Sequence, residues 1–282
     1  MATSLLTASI FLIGQYVDMP AIQKTFWRGL VPFIALTPIL PFLEWPAQPL
    51  FYVATLTTAL IVSYSDTQNF AAASKFGAGV AIRMKPFIIW LVFLVWFILD
   101  SDTRSDLLSQ PLVFSSVLVC LLIGALSASF MNRCPISRSA LIFYLPIIGL
   151  GACVDILNKT AMDSSGFMSG VIIYAWMQAL VISIVTFLIQ KRTAAASPSG
   201  HTIISNLKIG GIIGCIFLCA NLCKNTAMSL TLNPSYVTAI VFTSPVWVSL
   251  YYKYIQHKEP VNIWAGYGLI LSAIGLILCT TY

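Results

Sequence analysis

The chain has 282 residues, of which 59% are hydrophobic and only 9% are charged, and its formal net charge is +6. A soluble domain carries about 25% charged residues, so this composition excludes a water-soluble globule. The 15 Lys and Arg residues lie singly or in pairs between apolar runs, which is typical of membrane loops and excludes nucleic acid as a partner. Because lipid tolerates helices that satisfy their own backbone hydrogen bonds, we predict an all-α integral membrane protein whose main partner is the lipid bilayer.

Mostly apolar runs follow one another along the chain, and each is near the roughly 20 residues that a spanning helix needs. The breaks between them are polar or rich in proline, as at 100–106 and 193–200. The first run has no basic residue before it, so we expect it to stay as a membrane helix and not to be a cleaved signal peptide. The predicted spans are 3–19, 26–43, 49–67, 70–99, 111–131, 139–159, 166–190, 206–230, 233–254 and 261–280.

Two correspondences relate the first five runs to the last five. The sequence Gly-x-x-Val-Asp occurs at Gly14–Asp18 in the first run and at Gly151–Asp155 in the sixth. Pro86 lies inside the fourth run as Pro245 lies inside the ninth, and an acidic residue follows each proline at the same distance. Many transporters consist of two halves inserted in opposite orientations, so these matches favour a duplicated five-helix half.

The C-terminal part carries a further pattern. Its segments are 227–240, with Asn233 and Pro234, then Thr243-Ser-Pro245-Val, then Lys258-Glu259-Pro260-Val, and the glycine-rich run 266–275. This pattern resembles the closing part of the EamA-type repeat of the drug/metabolite transporter superfamily. Lys159 carries the resemblance over 139–190, and Arg28 and Pro86 carry it in the first half. Two positions depart from the family pattern: Ser244 stands where a Glu is frequent, and the counterpart of Glu259 is Asp100 in an acidic loop.

The resemblance implies about ten transmembrane helices, arranged as two inverted five-helix repeats at 1–131 and 132–282 around a central cavity. It also implies a secondary active transporter that moves a small polar metabolite, amino-acid-like or another organic compound, by alternating access. The superfamily carries amino acids, sugars, nucleotide derivatives, cofactors and drugs, so it names no substrate. Coupling to a proton or a counter-substrate, and assembly as a homodimer, stay open. We predict no bound cofactor.

Polar residues inside the runs are the candidate substrate-binding residues, because a charge at the bilayer centre costs about 2.5–3.5 kcal/mol on insertion scales. Arg83 is predicted to anchor an anion; the alternatives are a structural pair with Asp66 or a side chain that reaches the interface. Asp155, Asn158 and Lys159 are spaced i, i+3, i+4 and share one helix face. That face is suited to both ends of a zwitterion, and the alternative is an internal Asp155–Lys159 pair.

Two further helices contribute candidates. Asp18 in the first run is the counterpart of Asp155, and Asn221 and Asn225 in the eighth run lie one turn apart with Lys224 beside them. We expect this Asn face to line the cavity, and we expect the stripe of Cys215, Cys219 and Cys223 to pack elsewhere and to bind no metal. Pro86 and Pro245 are the predicted hinges. The predicted substrate-binding residues are Asp18, Arg83, Asp155, Asn158, Lys159, Asn221 and Asn225.

Two other functions compete with transport. A non-transporting scaffold or accessory subunit would not need buried polar faces. A membrane-embedded enzyme is less favoured, because the only histidines, His201 and His257, lie in connections and no nucleophile, metal or nucleotide motif is present. We therefore predict no enzymatic activity.

The distribution of Lys and Arg gives conflicting predictions for orientation. Alternate connections hold nearly all of them, and the positive-inside rule places those connections in the cytoplasm. With ten spans both ends of the chain then lie outside, whereas the resemblance implies that both lie inside, so orientation stays open. Short loops favour the bacterial cytoplasmic (inner) membrane as the multi-pass location, with an organellar membrane as the alternative.

Overall fold

The computed structural model describes residues 2–83, 86–130, 137–193, 203–241, 243–255 and 262–281. This part of the chain is almost entirely helical and contains no strand, so the all-α prediction is confirmed. The helices are α1 (Ala2–Tyr16), α2 (Ala21–Leu36), a 3₁₀ helix (Thr37–Phe42), α3 (Pro49–Phe76), α4 (Ala78–Arg83), α5 (Pro86–Leu99), α6 (Ser101–Ser109), α7 (Pro111–Phe130), α8 (Arg138–Asp163), α9 (Phe167–Thr193), α10 (Ile203–Ser229), α11 (Pro234–Val241), α12 (Ser244–Tyr254) and α13 (Ile263–Thr281).

Several of these helices are long and apolar enough to cross a bilayer. Within the described residues four qualify, namely Ala21–Phe42, Arg138–Asp163, Met168–Arg192 and Leu207–Ser229. A fifth qualifies if α6 and α7 count together, although they are bent by 108° from one another. Shorter apolar helices are found at Ala2–Tyr16, Ile88–Leu99 and Trp264–Cys279. Apolar helices of this length suggest a membrane protein.

α3 crosses a boundary that the sequence predicted. The third predicted span ends at residue 67 and the fourth begins at residue 70, but α3 continues through this boundary to Phe76. The helix ends at Gly77, whose φ of 86° favours glycine. The boundary prediction is wrong because Ser65, Asp66 and Asn69 line an internal cavity. Their polarity marks an internal surface of the bundle and not a loop.

Two predicted spans are interrupted: the span 70–99 at Gly77, and the span 233–254 at Thr243, two residues before Pro245. The span 70–99 contains the start of α5 at Pro86, and the span 233–254 contains the start of α12 at Ser244, directly before Pro245. Proline lacks an N–H and is tolerated in the first turn of a helix, where that group has no partner inside the helix. Pro245 therefore lies in the first turn of the second segment of its interrupted span, whereas the residues directly before Pro86 lie outside the described residues.

Helix contacts between the first half of the chain and the second occur in matched pairs. α2 packs on α9 and α7 packs on α13, so corresponding helices of the two halves contact each other. α3 packs on α8 as α10 packs on α1, and α3 packs on α9 as α10 packs on α2. α5 contacts α8 as α12 contacts α1. These helix contacts thus occur in matched pairs, whereas the contact of α5 with α7 has no equally extensive counterpart between α12 and α13.

α2 and α9 approach most closely at Gly29. A Cβ there would lie 2.6 Å from Ser183 Oγ and 2.8 Å from the backbone oxygen of Ala179. We expect Gly29→Ala to lower the free energy of unfolding by about 1–3 kcal/mol, because helix backbones in a packed interior cannot yield freely. The measurement is the thermal unfolding midpoint in detergent. Gly149→Ala is the matched control, since a Cβ at Gly149 meets nothing within 4 Å. Equal midpoints for the two variants would contradict this packing.

Candidate functional site: a polar cavity within the helix bundle

A cavity of about 180 Å³ lies among α1, α2, α3, α5, α8, α9, α10 and α11. Its lining residues come from the middle of the long helices: 62–70 of α3, 147–158 of α8 and 217–224 of α10. Drug-sized ligand pockets have volumes of about 300–1,000 Å³, so this cavity is suited to a smaller solute. It extends from these central segments to the first turn of α1 at Thr3 and to the end of α11 at Val241.

The lining combines apolar surface, which is the larger part of its area, with polar or charged side chains from half of its residues. The polar and charged residues are Thr3, Thr7, Arg28, Ser65, Asp66, Asn69, Asp155, Asn158, Gln178, Asn221 and Lys224. The aromatic residues are Phe11, Phe70 and Phe217. Two cations face two anions, so the formal charge of the lining is balanced. A mostly apolar wall with a few convergent polar groups is the usual composition of a small-molecule site.

The first ion pair joins α2 to α3. The Arg28 guanidinium pairs with the Asp66 carboxylate, and both side chains are largely buried. The guanidinium carbon also lies 4.4 Å from the centre of the Phe217 ring of α10, which is cation–π geometry. Arginine suits this position because its planar guanidinium pairs with a carboxylate and stacks on a ring at the same time.

The second ion pair joins α8 to α10. Lys224 Nζ lies 2.5 Å from Asp155 Oδ1, and the Thr238 hydroxyl of α11 donates to Asp155 Oδ2 at 2.7 Å. Asp155 is only 4% exposed, so both of its oxygens have a partner inside the bundle. The alternative of an Asp155–Lys159 pair is wrong, because Lys159 Nζ lies 2.5 Å from Asp163 instead. Asp155 therefore connects three helices at the wall of the cavity.

A chain of hydrogen bonds runs from α8 through α9 to α10. The Tyr174 hydroxyl donates to Asn158 Oδ1, and Gln178 Nε2 donates to the Tyr174 hydroxyl at 3.1 Å. Asn221 Nδ2 donates to Gln178 Oε1 at 2.9 Å, and Asn225 Nδ2 donates to Asn221 Oδ1 at 2.8 Å. Three of these side chains, Asn158, Gln178 and Asn221, line the cavity. The chain holds the amides of that wall in fixed orientations.

Removal of one hydroxyl tests this chain. Tyr174 is fully buried, and Tyr174→Phe would deprive Asn158 and Gln178 of a partner. We expect a loss of about 1–2 kcal/mol in the free energy of unfolding, as for other buried hydrogen bonds. The measurement is thermal unfolding in detergent. Tyr64→Phe on α3 is the control, because Tyr64 is 54% exposed. A Tyr174→Phe variant as stable as the wild type would rule out a stabilising role for the chain.

Four of the sequence-predicted site residues come together. Asp155, Asn158 and Asn221 line the cavity, and Asn225 is buried behind Asn221. Cys215, Cys219 and Cys223 are exposed on α10 and do not line the cavity. The described part of the chain contains no group of metal-binding side chains.

The other three predicted residues lie elsewhere. Asp18 is exposed in the turn after α1 and does not line the cavity. Lys159 is buried in its pair with Asp163 near the end of α8. Arg83 ends α4, and its side chain lies outside the described residues.

Sequence reasoning missed Arg28, Asp66 and Gln178 as lining residues. Arg28 follows Trp27 near the start of the second predicted run, where a basic residue is ordinary at a membrane interface. Asp66 lies near the end of the third predicted span, where the sequence suggested it only as a structural partner of Arg83. Arg28 and Asp66 are each ionisable residues with apolar segments on both sides, and this pattern would have identified them as lining residues.

No protein-family model matches this chain, and no curated protein matches it. The resemblance to EamA-type repeats therefore rests on the sequence patterns alone.

Proposed function

We propose that the protein is a multi-pass membrane transporter that moves a small polar metabolite by alternating access. The observation that carries the proposal is the charge-balanced cavity within the bundle, whose walls come from both halves of the chain. Ionisable residues inside a membrane are costly and mark substrate pathways. A bundle with only a scaffolding role would gain nothing from keeping two ion pairs and a chain of amides around an open volume.

The packing and the interrupted helices support a ten-helix inverted repeat. We count α4 with α5 as one span, and α11 with α12 as another. Each half of the chain then has five spans. They are α1, α2, α3, α4–α5 and α7 in the first half, and α8, α9, α10, α11–α12 and α13 in the second. An odd number of spans makes the second half enter the membrane from the opposite side. Transporters built in this way hold their substrate near the midplane beside discontinuous helices. We assign this architecture to an EamA-like member of the drug/metabolite transporter superfamily, in the bacterial cytoplasmic membrane.

The charge balance of the lining favours a neutral or zwitterionic substrate. Arg28 and Lys224 are cations for a carboxylate, and Asp66 and Asp155 are anions for an ammonium group. A substrate with net charge would leave one charge uncompensated at low dielectric, which costs several kcal/mol. This supports an amino-acid-like or similarly balanced metabolite.

Alternating access requires contacts that close one end of the cavity and can reopen. α1 makes such contacts with both interrupted helices. Gln15 Oε1 accepts from the Tyr252 hydroxyl at 2.5 Å and from the backbone N–H of Ala78 at 2.9 Å. The Ser4 hydroxyl lies 2.7 Å from that of Thr243, beside the interruption between α11 and α12. We assign the closing contact to Gln15 and Tyr252, and the hinges to Pro86 and Pro245.

Transport by the purified protein in liposomes tests the proposal. Pools of radiolabelled amino acids, nucleosides, nucleotide derivatives and cofactors are offered to proteoliposomes and to protein-free liposomes. We expect saturable uptake of one zwitterionic or neutral compound. Asp106→Asn, an exposed carboxylate on α6, is the control variant and should transport normally. Folded protein that moves no compound in the whole screen would overturn the proposal in favour of a scaffold.

A further inference from the structure

The two ends of the helix bundle carry opposite charge. The connections alternate between the ends, and contacts between distant segments identify each end. Gln190 Nε2 at the end of α9 donates to the carbonyl of Ile22 at the start of α2, at 3.2 Å. At the other end, Trp176 Nε1 donates to the Thr37 hydroxyl after α2, at 3.0 Å.

The end with Ile22 and Gln190, named here the basic end, carries six exposed cations among the described residues. They are Lys75, Arg138, Lys191, Arg192, Lys208 and Lys253. The exposed anion of the described residues at this end is Asp18. The six cations come from the ends of α3, α9 and α12 and from the starts of α8 and α10. These six cations, named here the basic ring, therefore come from five different helices and do not form a run on one loop.

The end with Thr37 and Trp176, named here the acidic end, has the opposite composition. Its exposed anions among the described residues are Glu44, Asp102, Asp106 and Asp163, and its exposed cation is Arg104. Large aromatic residues are exposed at both ends. Tyr254 and Trp264 are 88% and 83% exposed at the basic end, and Phe42 is 86% exposed at the acidic end. Exposed Tyr and Trp are typical of the headgroup level of a bilayer.

A ring of cations at headgroup level matches a surface of anionic phospholipid. The cytoplasmic leaflet carries anionic lipids and a negative surface potential that attracts Lys and Arg close to the membrane. The acidic end would be repelled by the same surface. The ring of cations therefore selects one leaflet and one orientation, whereas the aromatic residues, exposed at both ends, fit either leaflet.

We infer that the basic end binds anionic phospholipid headgroups at the cytoplasmic surface, so that the acidic end, with the start of α1 and the end of α13, faces outward. This inference rests on the membrane insertion in the proposed function. It decides between the two orientations that the sequence left open, and it opposes the one that the family resemblance implies.

A reporter fused after Tyr282 in the full chain reads the orientation in cells. Alkaline phosphatase is active only outside the cytoplasm. Green fluorescent protein is fluorescent in the cytoplasm and stays dark when it is exported in the unfolded state. We expect the phosphatase fusion to be active and the fluorescent fusion to be dark. Neutralisation of the basic ring by substitution to Gln should move a large fraction of the fusions to the opposite orientation. Neutralisation of Glu44, Asp102 and Asp106 is the matched control and should leave the orientation unchanged.

Lipid composition tests the headgroup contact directly. Protein in nanodiscs of phosphatidylglycerol should unfold at a higher temperature than protein in nanodiscs of phosphatidylcholine, and high salt should remove the difference because it screens exposed charges. Substitution of Lys191 and Arg192 by Gln should reduce the difference, and Asp102→Asn should not. Two results would overturn the inference and leave the transport proposal standing. One is a membrane-inserted fusion whose C-terminal reporter lies in the cytoplasm, and the other is an equal unfolding temperature in both lipids. Fusions that stay in the soluble fraction would overturn both.

Discussion

Replacement of Asp155 by asparagine is expected to abolish transport and to lower the free energy of unfolding by about 3 kcal/mol, the usual cost of breaking a buried ion pair. The variant leaves the Lys224 ammonium, 2.5 Å away, without its anion. It also removes the carboxylate that accepts from Thr238 and so loosens α11 from α8. Uptake into proteoliposomes and thermal unfolding in detergent measure the two effects.

A double variant separates binding from folding. Asp155→Asn with Lys224→Met removes both charges, and replacement of a whole buried pair is often neutral for stability. We expect the double variant to unfold near the wild-type temperature and still to transport nothing, because the charges that hold the substrate are gone. Asp106→Asn serves as the exposed control. Wild-type uptake by Asp155→Asn would exclude this carboxylate from the substrate site.

Substitution of Arg28 is expected to have the second large effect. Arg28→Met would leave Asp66 unpaired inside the bundle and remove the cation that stacks on Phe217. We expect a loss of about 3 kcal/mol in stability and no measurable uptake. Arg28→Lys keeps the charge but loses the planar group that pairs and stacks together, so we expect it to fold and to transport more slowly than the wild type.

The control for Arg28 is a second arginine. Arg104 on α6 is exposed, and Arg104→Lys and Arg104→Met should transport at the wild-type rate. Equal uptake by Arg28→Met and Arg104→Met would show that the guanidinium at the cavity is dispensable. A loss of uptake with no loss of stability in Arg28→Lys would assign the arginine to the substrate and not to the fold.

The sequence predicted the helical class and most helix positions because apolar runs of about 20 residues have few alternatives. It also predicted Asp155, Asn158 and Asn221, since their spacing shows which side chains share a helix face. The interruption between α11 and α12 lies beside the predicted hinge Pro245, because a proline is tolerated in the first turn of a helix. These are properties of a single segment.

The partners of the charged residues could not be predicted in the same way. Asp155 pairs with Lys224, which is 69 positions away along the chain, and not with Lys159 one turn further on its own helix. The boundary predicted between residues 67 and 70, beside Asp66, was wrong because polar residues at the surface of an internal cavity have the same composition as a loop. Only the packing of α3 against its neighbours distinguishes the two cases. Pairing between helices is a property of the tertiary arrangement.

The two cavity ion pairs have a consequence for how the halves can move. Arg28–Asp66 lies entirely within residues 1–131, and Asp155–Lys224 lies entirely within residues 132–282. Each half is therefore electrically self-contained at its centre, and a tilt of one half against the other separates no opposite charges in a low-dielectric interior. The contacts of α1 with Thr243 and Tyr252 of the other half are neutral hydrogen bonds, each with a net contribution of about 0.5–1.5 kcal/mol. In the proposed transport cycle the charged groups would therefore move as intact pairs, and the neutral contacts of α1, the stacking of Arg28 on Phe217 and the apolar packing of α2 on α9 would resist the tilt.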